Sequence, residues 1–316
     1  MNAIETYCLK AHKSIDNYEA KVFTEQRGLT QQDIKKYIIG YSHEDDIIDY
    51  LYKKGFKQNE LVDYGILIKT KYGYWHPFKD RIIFPIIDTN KKIVGITARS
   101  IKQGDNVKYI HTTNTKYFCK GKVLYLEHLL DPKDKRIFVS EGPMDAIAIN
   151  KRGHNAFATF GTGFSKAQLQ KIKDYSKEYE INVLFDNDEP GKQAALRLLK
   201  EMAKIACKIN YVYLPDNVKD IDEYLEKYDM EHLQSVNGRT FFIENYFQNI
   251  FEQETYHDAY MEFIKQCKFI ETIKDKRIKR GFYIKLSKLN GLSVEEYKTL
   301  IDLRSEINNK RTAVPV

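Results

Sequence analysis

Five carboxylates, Glu141, Asp186, Asp188, Asp220 and Asp222, follow apolar runs of the chain. The runs are Arg-Ile-Phe-Val-Ser at 136–140, Ile-Asn-Val-Leu-Phe at 181–185 and Tyr-Val-Tyr-Leu at 211–214. An acid at the end of a buried strand is costly to place unless it meets positive charge. Acids repeated at successive strand ends fit a divalent-cation site that works on phosphate. Their oxygens are hard ligands, suited to Mg²⁺ or Mn²⁺ rather than Zn²⁺. Asp186 and Asp188 are the first candidates for direct ligation, because alternate residues beyond a strand can converge on one ion. Asp220 and Asp222 are candidates for a further ion, and Glu141 for a ligand or a general base. Plainer roles compete: Glu141 as an acid at a helix start, Asp186 and Asp188 as a turn, Asp220 and Asp222 as helix caps.

The elements that must position these acids alternate. Strands are expected at 136–140, 155–160, 181–185 and 209–214, and helices at 143–151, 166–179, 192–207 and from 222 to 228. Ser165 is a natural N-cap, and Pro190 suits the first turn of a helix, where its missing N–H is not needed. Such alternation predicts an α/β fold with a mostly parallel sheet covered by helices. Ligands of these sheets bind at the carboxyl ends of the strands, where Glu141, Asp186 and Asp188 fall.

Glu141-Gly142-Pro143-Met144-Asp145 and Asp186-Asn187-Asp188-Glu189-Pro190-Gly191 resemble the Glu-Gly-x-x-Asp and Asp-x-Asp-x-x-Gly signatures of toprim domains. Gly161-Thr162 and the 220–225 run Asp-Ile-Asp-Glu-Tyr-Leu resemble further segments of that group. Upstream, Phe78 to Ile86, Val94 to Arg99, Lys108 to His111 and Phe118 to Tyr125 are similar, in the same order, to the amino-terminal half of the DnaG-type primase core. So are Gln26 to Thr30 and Ile39 to Tyr41. The resemblance spans roughly residues 15 to 230. It implies a DNA primase core: metal-dependent nucleotidyl transfer, making short RNA primers on single-stranded DNA from ribonucleoside triphosphates. It also implies that Arg99, Lys108, Tyr109 and Lys120 contact template or nucleotide. Departures from the pattern are His111 in place of Asn, Thr97-Ala98 before Arg99 in place of glycines, and Pro143 in place of an aromatic residue. They bear on template preference more than on the carboxylates.

The chain has 316 residues, a net charge of +7 and 23 tyrosines. The charge is uneven: Lys102, Lys108, Lys116, Lys120 and Lys122 face the single acid Asp105, with Tyr109, Tyr117 and Phe118 among them. Cations interleaved with rings suit a groove that tracks one nucleic-acid strand, and equally a solvated face above a core. Three regions are expected: 1–130, a mixed α/β primase-core subdomain with the basic groove; 131–230, the toprim metal-binding domain; and 231–316, a helical subdomain. Cys8, Cys119, Cys207 and Cys267 are scattered, with no Cys-x-x-Cys and so no zinc site in this chain. Scattered thiols and the lack of a signal or membrane-length apolar stretch point to the cytoplasm.

The resemblance implies further partners: an RNA–DNA primer duplex, a replicative helicase and a separate zinc-binding domain protein. Abundant Lys, Ile, Tyr and Asn suggest an AT-rich genome, which together with the missing zinc and helicase-binding parts points to a bacteriophage enzyme acting in the bacterial host cytoplasm. The rivals are a toprim nuclease, using the same acids with water as nucleophile, and a non-catalytic template-binding protein. The single Trp75 is expected in packing, and His154 in the loop before the second strand.

Overall fold

The computed structural model describes residues 1–43, 46–102, 104–105 and 107–312. The chain divides into two compact units, residues 1–134 with 138–170, and 135–137 with 171–316. In chain order the first unit begins with α1 (Ala3–Lys13), α2 (Tyr18–Gln26), α3 (Gln31–Lys36), β1 (Gly40–Ser42), α4 (Asp46–Lys53) and α5 (Gln58–Asp63). A hairpin, β2 (Ile68–Thr70) and β3 (Gly73–Trp75), precedes β4 (Arg81–Ile87), β5 (Ile93–Ser100) and β6 (Tyr109–His111). There follow β7 (Arg136–Ser140), α6 (Pro143–Asn150), β8 (Asn155–Ala158) and the start of α7 (Lys166–Tyr175). Residues 44–54 read in the sequence as a helix; Glu44 and Asp45 lie outside the described residues.

In this unit an antiparallel sheet of order β1-β4-β5-β6 sits on α1. Every residue of β4 is buried, and one core joins Ile4 and Tyr7 of α1, Leu51, Leu61, Ile83 and Ile96. Gly40 sets how closely α1 approaches: a Cβ there would lie 2.5 Å from the backbone of Ala11 and of His12. The buried Tyr7 hydroxyl donates to Ser42 Oγ at 2.8 Å, and lies 2.9 Å from His76 Nε2. Farther along the chain, the Tyr37 hydroxyl donates to Asn150 Oδ1 of α6 at 2.9 Å, so the β7-α6-β8 segment is held to the amino-terminal helices.

The second unit contains β9 (Glu180–Val183), α8 (Glu189–Met202), β10 (Ile209–Val212), α9 (Ile221–Tyr224), β11 (Ser235–Asn237) and α10 (Gly238–Tyr246). Three longer helices complete it: α11 (Tyr256–Glu271), α12 (Lys276–Leu289) and α13 (Val294–Thr312). The acid-bearing sheet has the order β11-β10-β9-β7-β8, with β9 and β10 parallel and β11 antiparallel to β10. The expected α/β class, with helices flanking a parallel-rich sheet and a helical carboxy-terminal region, is therefore present.

Several expected bounds move, each for a tertiary reason. The helix expected to reach Cys207 ends at Met202. Just beyond it, Arg239 donates from Nε to the Ala203 carbonyl at 3.2 Å and from Nη2 to the Ile205 and Cys207 carbonyls, fixing the segment that follows α8. Residues 241–253 read in the sequence as one amphipathic helix, but that helix stops at Tyr246, because side chains from elsewhere in the unit capture the next backbone groups. Gln248 N–H donates to Glu262 Oε1, Gln266 Nε2 to the Gln248 carbonyl, and Ile250 N–H to Asn290 Oδ1. Trp75, expected in packing, is instead 50 % exposed on β3. His154 does precede β8, with Nδ1 3.0 Å from Asp134 Oδ2. Among the described residues, no helix is long and apolar enough to cross a membrane.

Because the Gly40 contact is with backbone, α1 has to shift to admit a methyl group. Gly40→Ala is expected to lower stability by about 1–3 kcal/mol, read as a reduced urea midpoint by far-UV circular dichroism.

Candidate active site

Each group of candidate acids is positioned by backbone geometry. In the first unit, β7 ends at Ser140, Glu141 follows, and Gly142 is the N-cap of α6. The Gly142 N–H donates to Asp145 Oδ2 at 2.9 Å, and a Cβ on Gly142 would sit 2.9 Å from that same oxygen. The Glu-Gly-x-x-Asp pattern thus reads as a buried cap, in which Asp145 fixes the turn that presents Glu141. A second contact comes from the loop after β8. Phe160 and Gly161 both take positive φ, +64° and +114°, and the Gly161 N–H donates to the Glu141 carbonyl at 3.0 Å. Glu141 is therefore held through its backbone by two loops while its side chain is half-buried.

In the second unit, Asp186 comes three residues after the end of β9 and Asp188 is the N-cap of α8. Asp188 Oδ1 accepts the Gly191 N–H at 2.9 Å. A Cβ on Gly191 would lie 2.2 Å from the Asp186 carbonyl oxygen, so the last position of Asp-x-Asp-x-x-Gly admits only glycine without a backbone shift. Asn187, between the acids, donates its N–H to the Lys219 carbonyl at 2.7 Å. Its Nδ2 donates to the Pro215 and Val218 carbonyls at 3.0 and 3.2 Å. These bonds seat the Asp186–Asp188 loop against the segment that leads into Asp220.

Asp220 caps α9, accepting the Glu223 N–H at 2.9 Å, and Asp222 is buried in the first turn of that helix. Sequence reasoning missed Asn187. Its only signal was a two-donor carboxamide between two acids. All the candidate ligands are hard oxygens, the donor type a divalent hard cation takes. Among the described residues, however, no group of three or more His, Cys, Asp or Glu is gathered closely enough to hold a metal ion.

The basic candidates belong to the first unit. Arg99 and Tyr109 are cross-strand partners on β5 and β6, and Arg99 Nη1 donates to the Tyr109 hydroxyl at 3.2 Å. The Arg99 guanidinium is 5.2 Å from the centre of the Phe23 ring and 5.5 Å from that of Tyr109; the residue is only 7 % exposed. Lys108 is exposed, and its carbonyl accepts the Ser100 N–H at 2.9 Å. Lys120 is half-buried, its N–H donated to Asn114 Oδ1 at 3.0 Å. The aromatic residues of this stretch divide. Tyr117 is exposed and stacks on Tyr64 at 4.3 Å, whereas Phe118 is buried and meets Gly95.

His111 lies edge-on to Phe160 at 5.4 Å, and its buried Nδ1 has no hydrogen-bond partner. Burial, reinforced by the nearby Lys120 charge, pushes its pKa down to about 4. His128 is likewise pushed down to about 4, chiefly by burial.

Comparison with known proteins matches both halves. Residues 7–130 match the family described as the DNA primase catalytic core, N-terminal domain, and residues 138–225 match the Toprim-like family. A DNA primase of Clostridium acetobutylicum is 27 % identical over 304 residues, covering 93 % of this chain and 50 % of the relative. The chain spans half or less of the length of the first curated relatives it matches. A DNA primase domain from Pseudomonas aeruginosa superposes with a TM-score of 0.76 at 24 % identity, covering 93 % of this chain and 95 % of that one. A DnaG primase catalytic domain bound to single-stranded DNA gives 0.75 at 21 %, covering 93 % and 96 %. At these identities the structural likeness establishes the fold. Toprim and primase families depend generally on divalent metal ions.

Two outcomes follow from this geometry. Gly191→Ala is expected to displace the Asp186 carbonyl and weaken Mn²⁺ binding about tenfold or more, measured by electron paramagnetic resonance titration. For pH, an unfolded histidine titrates near 6.5, above the folded value of about 4 for His111 and His128. The unfolded chain therefore binds more protons in that window. Stability is full above about pH 6.5 and falls as pH drops toward 4. Urea unfolding of His111→Asn should show a shallower fall than the parent chain, with the His128 share remaining.

Proposed function

We propose that this chain, which belongs to the DnaG-type primase family and carries its catalytic core, is a DNA primase that builds short RNA primers on single-stranded DNA. The observation that supports this most is the seating of Asp186, Asn187 and Asp188. One loop presents two carboxylates beyond a parallel strand, and Asn187 fastens it to the segment that brings in Asp220 and Asp222. Relatives named DNA primase align with 93 % and 71 % of this chain.

In the proposed reaction the 3′-hydroxyl oxygen of the growing primer attacks the α-phosphorus of a ribonucleoside triphosphate. A new P–O bond forms, the bond between the α-phosphorus and its bridging oxygen breaks, and pyrophosphate leaves. Mg²⁺ or Mn²⁺, held by these acids, would supply positive charge to the phosphoryl oxygens and the departing pyrophosphate. Asp186 and Asp188 are assigned as its principal holders, with Asp220 and Asp222 for a further ion. Glu141 stands apart at the end of β7 and is assigned the hydroxyl proton. Lys108 and Lys120 are assigned to phosphates of template or nucleotide. Arg99, packed between two rings, orients the Tyr109 ring for a base to stack upon.

The same reading extends to organisation. Residues 1–130 serve as the template-handling region, 131–230 as the metal-binding region and 231–316 as the helical region. The proposed partners are single-stranded DNA, the RNA–DNA duplex it becomes, a replicative helicase and a separate zinc-binding domain protein, all in the cytoplasm.

The test is primer synthesis on mixed-sequence single-stranded DNA with labelled ribonucleotides and Mg²⁺ or Mn²⁺. Short RNA products are expected from the parent chain, and a loss of about a hundredfold or more from Asp186→Asn with Asp188→Asn. Metal-dependent loss of the template would move the assignment to a nuclease, and undiminished products from the double variant would remove these acids from the chemistry.

A further inference from the structure

A second site lies at the other end of the second unit's parallel strands from Asp186 and Asp188. A cavity of about 880 Å³ opens there, beside Arg136, Glu180 and Lys208, at or next to the first residues of β7, β9 and β10. That volume falls in the range of small-molecule sites, about 300–1,000 Å³. At about 3.3 Å per residue, the length of β9 alone keeps the cavity roughly 10 Å from the carboxylate end.

The lining has two characters. Its floor is apolar and well packed: Tyr179, Ile243 and Phe282 are buried, and Ile278 joins them. Its rim is cationic, with Lys135, Arg136, Lys177, Lys208, Arg277 and Lys285 against the acids Glu178 and Glu180. Arg239 also lines it, but its guanidinium is engaged by backbone carbonyls of the segment after α8. Several rim charges are engaged as well: Lys177 pairs with Asp174 at 2.6 Å, and Glu180 accepts from Asn210 at 2.8 Å. Lys208 and Arg277, both exposed, have no ion-pair partner among the described residues.

The wall contributes an independent observation. Gly281 sits in the interior of α12, where glycine is a poorer helix former than alanine. A Cβ built on it meets nothing within 4 Å, so neither packing nor backbone conformation demands glycine there. What the missing side chain leaves is open space along the cavity. A helix that gives up propensity without relieving any clash, at the wall of a cation-rimmed cavity, is consistent with keeping that volume free for a ligand.

We propose that this cavity binds a nucleotide, its base and sugar over the apolar floor and its phosphates on the Lys208 and Arg277 rim. Guanidinium and ammonium groups complement phosphate oxygens, Arg by bidentate hydrogen bonds and Lys as a point charge. The apolar floor argues for a ligand with a base rather than for inorganic phosphate alone. The volume, within the range of small-molecule sites, argues for a mononucleotide rather than a polymer. This site stands on the cavity alone and is independent of the primase reading.

The test is fluorescence anisotropy of mant-labelled guanosine triphosphate with the full chain in EDTA, which removes metal-dependent binding at the carboxylates. Saturable binding is expected, displaced by unlabelled guanosine triphosphate and much less by pyrophosphate. Gly281→Trp, which fills the cavity, and Lys208→Glu with Arg277→Glu, which alters only the exposed rim, should each weaken binding about tenfold or more. Asp186→Asn with Asp188→Asn should bind as the parent chain does. Gly281→Ala serves as the folding control and should melt no lower than the parent. The proposal is overturned by absence of saturable binding, by equal affinity in the rim variant, by loss of binding in the carboxylate variant, or by displacement with a single-stranded oligonucleotide but not with guanosine triphosphate.

Discussion

The first turn of α8 packs onto the backbone of Asp186 with no room for a side chain, and the placing of Asp186 and Asp188 depends on that approach. Glycine at 191 lets its N–H reach Asp188 while the helix start lies against the Asp186 carbonyl. One short segment therefore ends the approach from β9, begins α8 and sets the direction of two carboxylates. Pro190 reinforces it, since a proline in the first turn needs no acceptor for an N–H. The first unit uses the same economy at Gly142. There an acid buried in the first turn of α6 takes the N-cap N–H, and the strand end carrying Glu141 is fixed as a consequence. In both places a glycine and an acid three residues apart or fewer make the turn, and a different acid is displayed by it.

The sequence revealed a good part of this arrangement, for reasons that can be named. β7 was readable to the residue because the run 136–140 is apolar, β-rich and followed by a Glu-Gly-Pro turn, all local signals. Ser165 was readable as a cap, and it does exchange hydrogen bonds with Gln168 in both directions. Helix ends were less readable. α8 stops where Arg239, more than thirty residues away, binds carbonyls of the segment just beyond it. α10 stops where Glu262, Gln266 and Asn290 take the following backbone groups. Neither signal is local, and propensity alone extends both helices too far. Asn187 was invisible for the same reason, since its partners are carbonyls of another loop. Short strands such as β1, β6 and β11 escape periodicity because three residues carry too little pattern.

The cations illustrate a different limit of sequence reading. Arg99 and Lys108 look alike in a string as positive charges near aromatic residues. In the fold Arg99 is enclosed by two rings and shares a hydrogen bond with one of them, while Lys108 is out in solvent. The guanidinium can be buried in this way because it is planar and weakly hydrated, so rings can cover its faces while its edges keep hydrogen bonds. Phe118 and Tyr117, neighbours in sequence, part in the same manner: one fills the space left by Gly95 and the other stays at the surface.

Trp75 is the only tryptophan and lies half-exposed on the β2–β3 hairpin. Its emission spectrum is therefore set by water around that hairpin rather than by the dryness of either core. A chemical or thermal transition followed at the red edge of indole fluorescence will register the hairpin's local environment and can remain nearly silent while the rest of the chain comes apart. The many tyrosines, among them Tyr7, Tyr41, Tyr125 and Tyr297 deep in the interior, make absorbance near 287 nm the faithful optical witness for this chain.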